Sequence, residues 1–341
     1  LNHRRLRDGS YNLRRRRHFD HRRLLIGDIF WRLHEDRINH RFLNLTLNRE
    51  GLLARLSLMN VLLVFKKNFE SIHDESLGRV KNAFLNHPNI RADFKARESI
   101  NRADFIGRDL VIVLGGDGTL TSISHNIDSE TPVMGVNSHP RIEDANGSFG
   151  FYLDSHVETF EQDLQQFVEG KAIVNHLPRL QATIETNSGN RIRTDPAMND
   201  LLIANTHQYA PSKYRLRRGS FVIEQHSSGL IFSTWLGQGA WFNQAVKQLN
   251  LGNHEQSHDH YLVMARDIDP KTIGKAAMEW TSEPTIITSD MHRGYVVPDG
   301  WDEYHFNRGA SISIDLSGPT LKLITFRMTM VEKFNNLYSQ K

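Results

Sequence analysis

The part of the chain that follows residue 58 alternates short apolar runs with stretches whose apolar side chains recur at helical spacing. Residues 61–65 and 109–114 are almost continuously apolar, a pattern typical of strands buried on both faces of a parallel sheet. A helix pattern follows the first of these runs and stops at a proline. The pattern predicts strands over residues 61–65, 109–114 and 132–137, and helices over residues 71–86, 119–126 and 156–168, the last with a capping box of Ser155 and Glu158.

Beyond Gly170 the pattern changes to short apolar or alternating runs that are typical of strands. The strands predicted here cover residues 180–185, 200–204, 220–224, 229–234, 261–265, 285–288, 294–297, 310–316 and 321–326, with one helix over residues 240–249. A basic strip over residues 213–218 is interpreted as a solvated edge strand.

Alternating strands and helices followed by a run of strands predict two domains. The first is an α/β domain with a Rossmann-like parallel sheet, placed at residues 59–175. The second is a mostly β domain, placed at residues 176–318. Residues 319–341 form a C-terminal segment that can return to the first domain.

Residues 1–58 differ from the rest in charge. They hold fourteen arginines, no lysine and six acidic residues, a formal charge of +8, so the total of +3 leaves −5 for the remainder. Three interpretations stay open: a basic arm for nucleic acid or an anionic membrane, an organelle presequence, or residues upstream of the natural start, since the first methionine is Met59. We favour the last and expect a basic extension that is disordered or not native. The protein is then expected in the cytoplasm, or in the mitochondrial matrix if the extension is a presequence.

The composition excludes several classes of protein. The chain has no cysteine, which excludes thiol nucleophiles, thiolate metal sites and disulfides. Its longest apolar runs are about five residues, whereas a helix that crosses a membrane needs about 20. The acidic balance after residue 58 gives no reason to expect nucleic acid, so we expect neither a nucleic-acid nor a membrane partner.

The strongest chemical signal is the glycine loop Gly115, Gly116, Asp117, Gly118 and Thr119, which follows a buried strand and opens a helix. Glycines let a backbone approach a phosphate closely, and the free amides and the dipole of the helix attract its charge. A carboxylate in such a loop repels phosphate oxygens unless it binds a metal or accepts a proton. In phosphoryl transfer it can orient or deprotonate the attacking hydroxyl. The alternative is a tight turn in which Asp117 caps the helix.

The loop sequence GGDGT after a strand is shared by NAD kinases, by diacylglycerol and sphingosine kinases and, in similar form, by phosphofructokinases. Residues 197–200 (AMND) resemble the Asn-Glu motif of NAD kinases, and residues 227–241 resemble their strand and second glycine loop. From about Met59 onward the chain is similar to the NAD kinase family, and most to the divergent branch that includes mitochondrial NAD kinases. The resemblance implies an NAD kinase-like two-domain fold. It also implies transfer of the γ-phosphate of ATP to the 2′-hydroxyl of the adenosine ribose of NAD, giving NADP.

The resemblance implies a role for each matching residue. Asp117 falls where the family aspartate accepts the proton of the attacking hydroxyl, and Gly115, Gly116, Gly118 and Thr119 fall where the loop backbone holds ATP phosphates. The residues that it places at the NAD site are Asn199, Asp200, Ser228, Thr234, Gly237, Gly239, Ala240, Trp241 and Gln244. The implied cofactor is Mg²⁺ carried with ATP, no metal ligand of the chain is implied, and NAD kinases are commonly homodimers or homotetramers.

The chain departs from the family pattern at several positions. Asp200 is one methylene shorter than the family glutamate, Ser228 replaces an aspartate, and Gly239 replaces a threonine or lysine. Trp235 and Leu236 stand where small or polar residues are usual, and both are expected to crowd a ligand. The pair at residues 199 and 200 is alternatively a simple turn before a strand. Two other functions stay open: a lipid kinase of the diacylglycerol kinase type and a non-catalytic NAD(P)-binding regulator.

Overall fold

The computed structural model describes residues 58–67, 71–141, 145–240, 258–267 and 280–338. All of them belong to one compact unit, Leu58–Lys341. The interpretations of residues 1–57, and the helix expected beyond Ala240, therefore lie outside the described residues. No helix among the described residues has the length and hydropathy of a membrane span.

Strands and helices alternate in the first part of the chain. The elements are β1 (Met59–Phe65), α1 (Ser71–Phe84), β2 (Ile90–Ala96), β3 (Leu110–Gly115), α2 (Asp117–Ser124), β4 (Pro132–Asn137), β5 (Ser155–His156), α3 (Phe160–Val168) and β6 (Ile173–Leu177). Two short 3-10 turns, Arg97–Ser99 and Arg102–Phe105, join β2 to β3.

Strands then dominate until the chain ends in a helix. The elements are β7 (Gln181–Glu185), β8 (Arg191–Arg193), β9 (Asp200–Asn205), β10 (Ser212–Arg218), β11 (Phe221–Ser227), β12 (Leu230–Ser233), β13 (Tyr261–Ala265), β14 (Trp280–Thr281), β15 (Thr285–Ser289), β16 (Arg293–Pro298), β17 (Tyr304–Asn307), β18 (Ser311–Asp315), β19 (Leu321–Thr325) and α4 (Met330–Tyr338). A 3-10 turn, Leu236–Gly239, follows β12.

The first sheet has the order β2-β1-β3-β4-β19-β6, with β5 beside β4. Its pairs are parallel except that β6 runs antiparallel to β19. The strand β19 belongs to the C-terminal segment, which thus returns to this sheet beside β4. In this arrangement the carboxyl ends of β1, β3 and β4 lie along one edge, which is where ligands bind in open α/β sheets.

Alternate side chains of the central strands are buried in two separate hydrophobic cores, one on each face of the sheet. Leu110, Ile112 and Leu114 of β3 face α1 and α3, while Val111 and Val113 face the opposite side. That opposite core contains α2 and α4 and also receives residues of the second domain, so the two domains share apolar packing. Burial on both faces explains why these strands are continuously apolar in the sequence.

The second domain is a sandwich of two antiparallel sheets. Their orders are β11-β10-β15-β18-β7-β8 and β14-β13-β12-β9-β16-β17. Inward-facing residues of both sheets form one core that includes Leu216, Ile312, Leu201 and Phe232. The α/β class of the first domain and the mostly β class of the second are therefore confirmed.

Two details of the sequence interpretation are wrong. The basic strip is not an edge strand, because β10 lies between β11 and β15 and buries Tyr214 and Leu216 while its basic side chains at odd positions stay exposed. The capping box is also wrong. Ser155 belongs to β5, and α3 begins at Phe160 after Thr159, whose side chain makes no capping hydrogen bond.

Candidate active site

The glycine loop lies at the carboxyl end of β3, in the middle of the first sheet. Gly116 has an extended backbone and is the N-cap of α2. A Cβ on Gly115 would lie 2.7 Å from the hydroxyl of Thr119, which is buried beneath the loop. A Cβ on Gly118 would meet no atom within 4 Å. The loop therefore needs glycine at residue 115 for its own packing, whereas Gly118 faces open space where a phosphate can approach.

The carboxylate of Asp117 is held by the segment that follows β4. Its Oδ2 accepts the N–H of Gly150 at 2.8 Å and the hydroxyl of Ser148 at 3.2 Å. Its Oδ1 accepts the N–H of Tyr152 at 2.9 Å, and the N–H of Asp117 donates to Ser148 Oγ at 3.1 Å. A carboxylate has about four acceptor positions, so one position remains on Oδ1.

These contacts decide between the two interpretations of the aspartate. Asp117 is the first residue of α2 and not its cap, because Gly116 holds the cap position. The carboxylate bonds to another loop and not to its own helix. The helix-capping alternative is therefore wrong, and the remaining lone pair of Oδ1 is able to accept a hydrogen bond from a substrate hydroxyl.

A lysine of the C-terminal helix α4 hydrogen-bonds to the backbone of the segment that holds Asp117. Lys333 Nζ donates to the carbonyls of Gly150 at 2.9 Å and Leu153 at 3.3 Å. Burial lowers the pKa of Lys333, and the charges of Asp154 and Asp117 oppose that effect. Both backbone polar groups of Gly150 are therefore hydrogen-bonded: its N–H donates to Asp117 and its carbonyl accepts from the ammonium of Lys333.

The second domain brings the Asn-Asp pair to the glycine loop through one tyrosine. The N–H of Tyr152 binds Asp117, and its hydroxyl donates to Oδ1 of Asn199. Asn199 is half-buried. Among the described residues its side-chain amide nitrogen has no hydrogen-bond acceptor, so that donor is available to a ligand.

Asp200 lies beside this amide but in a different environment. Its side chain is buried and has no hydrogen-bond donor among the described residues. Burial, with the nearby charge of Asp299, raises the pKa of Asp200 to about 7. A carboxyl group that titrates near neutral pH is typical of functional sites.

Thr234 and Gly237 pack against the backbone of the Asn-Asp pair. Thr234 donates its hydroxyl to the carbonyl of Met198 at 2.5 Å and its N–H to the carbonyl of Asn199 at 2.9 Å. A Cβ on Gly237 would lie 2.3 Å from the same Asn199 oxygen. The hydroxyl of Thr234 is fully buried, so the structure gives it a supporting place behind the loop.

Trp235 and Leu236 do not crowd the site. Both side chains are buried in the core shared by the two domains, where the indole of Trp235 packs edge-on against Phe334 of α4 at 5.4 Å between ring centroids. The expectation that they would obstruct a ligand is wrong. The apolar replacements instead fill the space between the second domain and the first sheet.

Ser228 lies apart from the Asn-Asp pair. The register pairs Asp200 with Ser233 at one end of β12 and Ile203 with Leu230 at the other, and Ser228 precedes that second end. It is exposed. There it lines a cavity of about 370 Å³ together with Asn205, His207, Arg266 and Tyr295.

The second glycine loop is described only in part. Gly239 ends the 3-10 turn, and the N–H of the half-buried Ala240 donates to the carbonyl of Gly237 at 2.9 Å. Trp241 and Gln244 lie outside the described residues. Their roles at the NAD site stay predictions.

Several residues of the site escape the sequence analysis. They are Ser148, Gly150, Tyr152, Asp299 and Lys333. Only Asp299 had a local signal, a Pro-Asp-Gly turn, and a turn by itself indicates no contact with a distant loop. The others reach the site through the fold alone.

Comparisons with known proteins agree with this geometry. Residues 49–172 match the family described as ATP-NAD kinase N-terminal domain. A probable NADH kinase of rice (Oryza sativa subsp. japonica) is 28% identical over 239 residues, which cover 63% of this chain and 70% of the rice protein.

Two crystal structures have the same fold. Yeast NADH kinase, complexed with NADH, superposes with a TM-score of 0.66 at 16% identity and covers 83% of this chain and 88% of its own. An NAD kinase from Archaeoglobus fulgidus in complex with ATP gives a TM-score of 0.60 at 18% identity, covering 83% of this chain and 98% of its own.

An α/β domain that carries the glycine loop and a β sandwich beside it form the architecture of the kinases named above, a class of two-domain phosphotransferases. Within that class, residues 49–172 match the NAD kinase family, and the named relatives, which cover more of the chain, are NAD and NADH kinases.

Proposed function

We propose that this protein phosphorylates the 2′-hydroxyl of the adenosine ribose of NAD with the γ-phosphate of ATP. The observation that carries the proposal is the link Asp117–Tyr152–Asn199, which places the phosphate-binding loop of one domain next to the polar pair of the other. Neither a lipid kinase nor a non-catalytic regulator is favoured by these matches.

The chemistry follows from the position of Asp117. The 2′-oxygen of NAD attacks the γ-phosphorus of ATP, a new P–O bond forms, and the bond from that phosphorus to the β–γ bridging oxygen breaks to release ADP. The hydroxyl proton passes to the acceptor position left on Asp117 Oδ1. The amides of Gly150 and Tyr152 fix the carboxylate, so it is oriented before the substrate arrives.

The backbone of the glycine loop is the proposed phosphate site. Gly118 leaves room beside the amino end of α2, where free amides and the helix dipole favour a negative charge. Asn199 offers a donor, and Asp200 an acceptor when ionised, to the ribose hydroxyls or the adenine edge of NAD.

Magnesium is the implied cofactor. Among the described residues, no three histidine or carboxylate side chains come together to hold a metal ion. We propose Mg²⁺ that is bound mainly through the oxygens of ATP, as is usual in kinases. When bound there, the ion neutralises charge on the transferred phosphoryl group.

Two finer features belong to the same proposal. The relatives named NADH kinases favour NADH as a second acceptor, since it differs from NAD at the nicotinamide and not at the phosphorylated ribose. We also propose a homodimer or homotetramer. Light scattering on the purified protein would measure that state, and a monomer at assay concentration would contradict it.

The experiment that tests the function supplies ATP and Mg²⁺ with either NAD or NADH and measures NADP and NADPH separately. We expect phosphorylation of at least one of the two dinucleotides. A parallel reaction with diacylglycerol tests the lipid hypothesis. Phosphate on lipid and none on either dinucleotide would contradict our proposal, and nucleotide binding without any product would favour the regulator.

A further inference from the structure

Asp299 receives three consecutive backbone amides of the Asn-Asp loop. It lies in the turn that follows β16, and its side chain is completely buried. Oδ1 accepts the N–H groups of Asn199 at 2.7 Å and Asp200 at 3.0 Å, while Oδ2 accepts that of Met198 at 2.8 Å. Its own N–H donates to the carbonyl of Asp200 at 2.9 Å. This one residue therefore fixes the backbone of the whole loop.

The backbone of Asp299 is strained, and the strain coincides with these contacts. Its φ of 48° lies in the left-handed region, which costs energy for a residue with a Cβ. Glycine follows immediately at residue 300 and would fit a left-handed conformation without cost. The energetic cost at Asp299 is offset by hydrogen bonds that a glycine cannot make.

The same carboxylate also contacts the helix that carries the glycine loop. His125, the C-cap of α2, places its Nε2 3.3 Å from Asp299 Oδ2, and both side chains are buried. Because a carboxylate only accepts, Nε2 is the donor. The helix is eight residues long, so this contact lies about 12 Å from Asp117 at its other end.

We propose that Asp299 is a positioning residue of the NAD site. It acts through the amides of Met198, Asn199 and Asp200 and aims the side chains of the pair at the bound dinucleotide. The inference rests on the proposed function, because it assigns the loop to NAD.

The charge of Asp299 gives this role a measurable signature. It faces Asp200 at close range, and the other titratable or charged groups around it are the imidazole of His125 of α2 and the buried Arg179, which precedes β7. Arg179 also faces Asp128, and burial lowers its pKa only to about 10, so it stays cationic at neutral pH. Asp200 is consequently a neutral acid that can donate a hydrogen bond on the acidic side of neutrality, and an anion that only accepts above it.

Three variants separate position from charge. Asp299→Asn removes the charge and one acceptor, and Asp299→Glu keeps the charge but displaces the carboxylate. Asp302→Asn changes an exposed aspartate three residues further along and is the matched control. Titration calorimetry with NAD between about pH 6 and 8 measures affinity, steady-state kinetics give KM for NAD and for ATP, and circular dichroism establishes folding.

We expect Asp299→Asn to weaken NAD binding about tenfold or more and to change KM for ATP less than about twofold, since ATP contacts the other domain. The pH midpoint of NAD binding should move to lower pH in Asp299→Asn and stay in place in Asp299→Glu, although both bind weakly. Asp302→Asn should match the wild type.

Other outcomes overturn the proposal in recognisable ways. Equal losses for NAD and ATP, or an unmoved pH midpoint in Asp299→Asn, would indicate a general structural role. If Asp299→Asn does not fold, Asp299→Glu carries the test, and normal NAD affinity in that variant refutes the positioning role. A wild-type protein that makes NADP while Asp299→Asn binds NAD normally refutes only this inference. A wild type that neither binds NAD nor forms NADP contradicts the proposed function and the inference together.

Discussion

Two aspartates of the site illustrate opposite uses of a carboxylate. Asp117, in the α/β domain, accepts hydrogen bonds from Gly150, Tyr152 and Ser148 and has one acceptor position left. Asp200, in the β domain, is buried without a donor among the described residues, and its pKa is raised to about 7. One carboxylate is held by neutral donors and the other is kept near its titration point by burial and by a like charge.

The difference assigns the two groups different work. A carboxylate fixed by backbone amides is suited to orient one hydroxyl and receive its proton, because its position does not depend on the ligand. A buried carboxyl without partners is costly until a ligand arrives to bond with it. We therefore propose that Asp117 takes part in the reaction and that Asp200 takes part in recognition of the dinucleotide.

The comparison predicts the largest effect for Asp117→Asn. We expect kcat to fall by about 10² to 10⁴, because the variant cannot accept the hydroxyl proton. NAD affinity should stay within a few-fold of the wild type, since Asn199 and Asp200 are unchanged. Steady-state kinetics and calorimetry measure the two quantities.

The matched control is Asp109→Asn, at the opposite end of β3. Asp109 also accepts a backbone N–H, from Asn60 at 2.7 Å, but lies away from the loop. Its replacement should affect stability alone. Full activity in Asp117→Asn would refute the role of this aspartate in proton transfer.

The second prediction concerns stability and Asp200→Asn. The pKa of Asp200 rises from an ordinary 3.8 to about 7 on folding, so the folded state binds the proton more tightly than the unfolded state. This group's contribution is fully present below about pH 4 and is lost as the pH rises to about 7, by about 4 kcal/mol at most. Asparagine does not titrate, so the variant should gain free energy of unfolding relative to the wild type over that range.

Thermal or urea unfolding at several pH values checks this sign. The useful quantity is the difference between variant and wild type, because other groups titrate equally in both. A difference that is flat between pH 4 and 7 would mean that Asp200 ionises normally. The two aspartates would then differ in their hydrogen bonds and not in their pKa.

Sequence predicts best where the signal is local. The central strands β1, β3 and β4 are predicted because both their faces are buried and their residues are continuously apolar. The strands that escape prediction include β2, β6, β8, β14 and β17, all at sheet edges, where half-exposed residues mix polar and apolar side chains. The exposed edge removes the periodic signal.

The site follows the same rule. Asp117 is predictable because the glycines that expose it are its neighbours in sequence. Asp299 contacts Asn199 across 100 residues, and Lys333 contacts Gly150 across 183. Such pairings depend on the return of the C-terminal strand and on the register of the sandwich, neither of which is encoded in a short motif.

The third prediction tests what holds Asp117 in place. Lys333→Met keeps the length of the side chain but leaves the carbonyls of Gly150 and Leu153 without their buried donor. The segment that fixes Asp117 should loosen, and we expect kcat to fall about tenfold with little change in KM for NAD. Lys333→Arg keeps donors at this place and should recover part of the loss.

Lys322→Met is the control, because it removes another lysine of the C-terminal segment, residues 319–341. Lys322 lies on β19 and binds the exposed Glu130 at 2.9 Å, away from the loop. Its replacement should leave kcat unchanged. Equal kcat in Lys333→Met and the wild type would show that backbone contacts alone are sufficient to hold the aspartate.

The smallest expected effect separates two glycines of the loop. In Gly118→Ala the added Cβ would meet no atom within 4 Å. The position lies in α2, where alanine is favoured over glycine by up to about 1 kcal/mol, so the free energy of unfolding should stay the same or increase. A methyl group there occupies the space proposed for ATP phosphates, so KM for ATP should increase a few-fold. Gly115→Ala should instead lose stability. Its Cβ would lie 2.7 Å from the hydroxyl of Thr119, and we expect the free energy of unfolding to fall by about 1–3 kcal/mol.

Measuring both variants by thermal unfolding and by KM for ATP makes each the control of the other. If phosphates approach Gly118, the variant that is neutral for the fold is the one that impairs ATP binding. An unchanged KM for ATP in Gly118→Ala would move the phosphate site away from the amino end of α2. The proposed roles of the two aspartates would then have to be reassigned, because proton transfer to Asp117 Oδ1 requires the γ-phosphate of ATP to bind beside this loop.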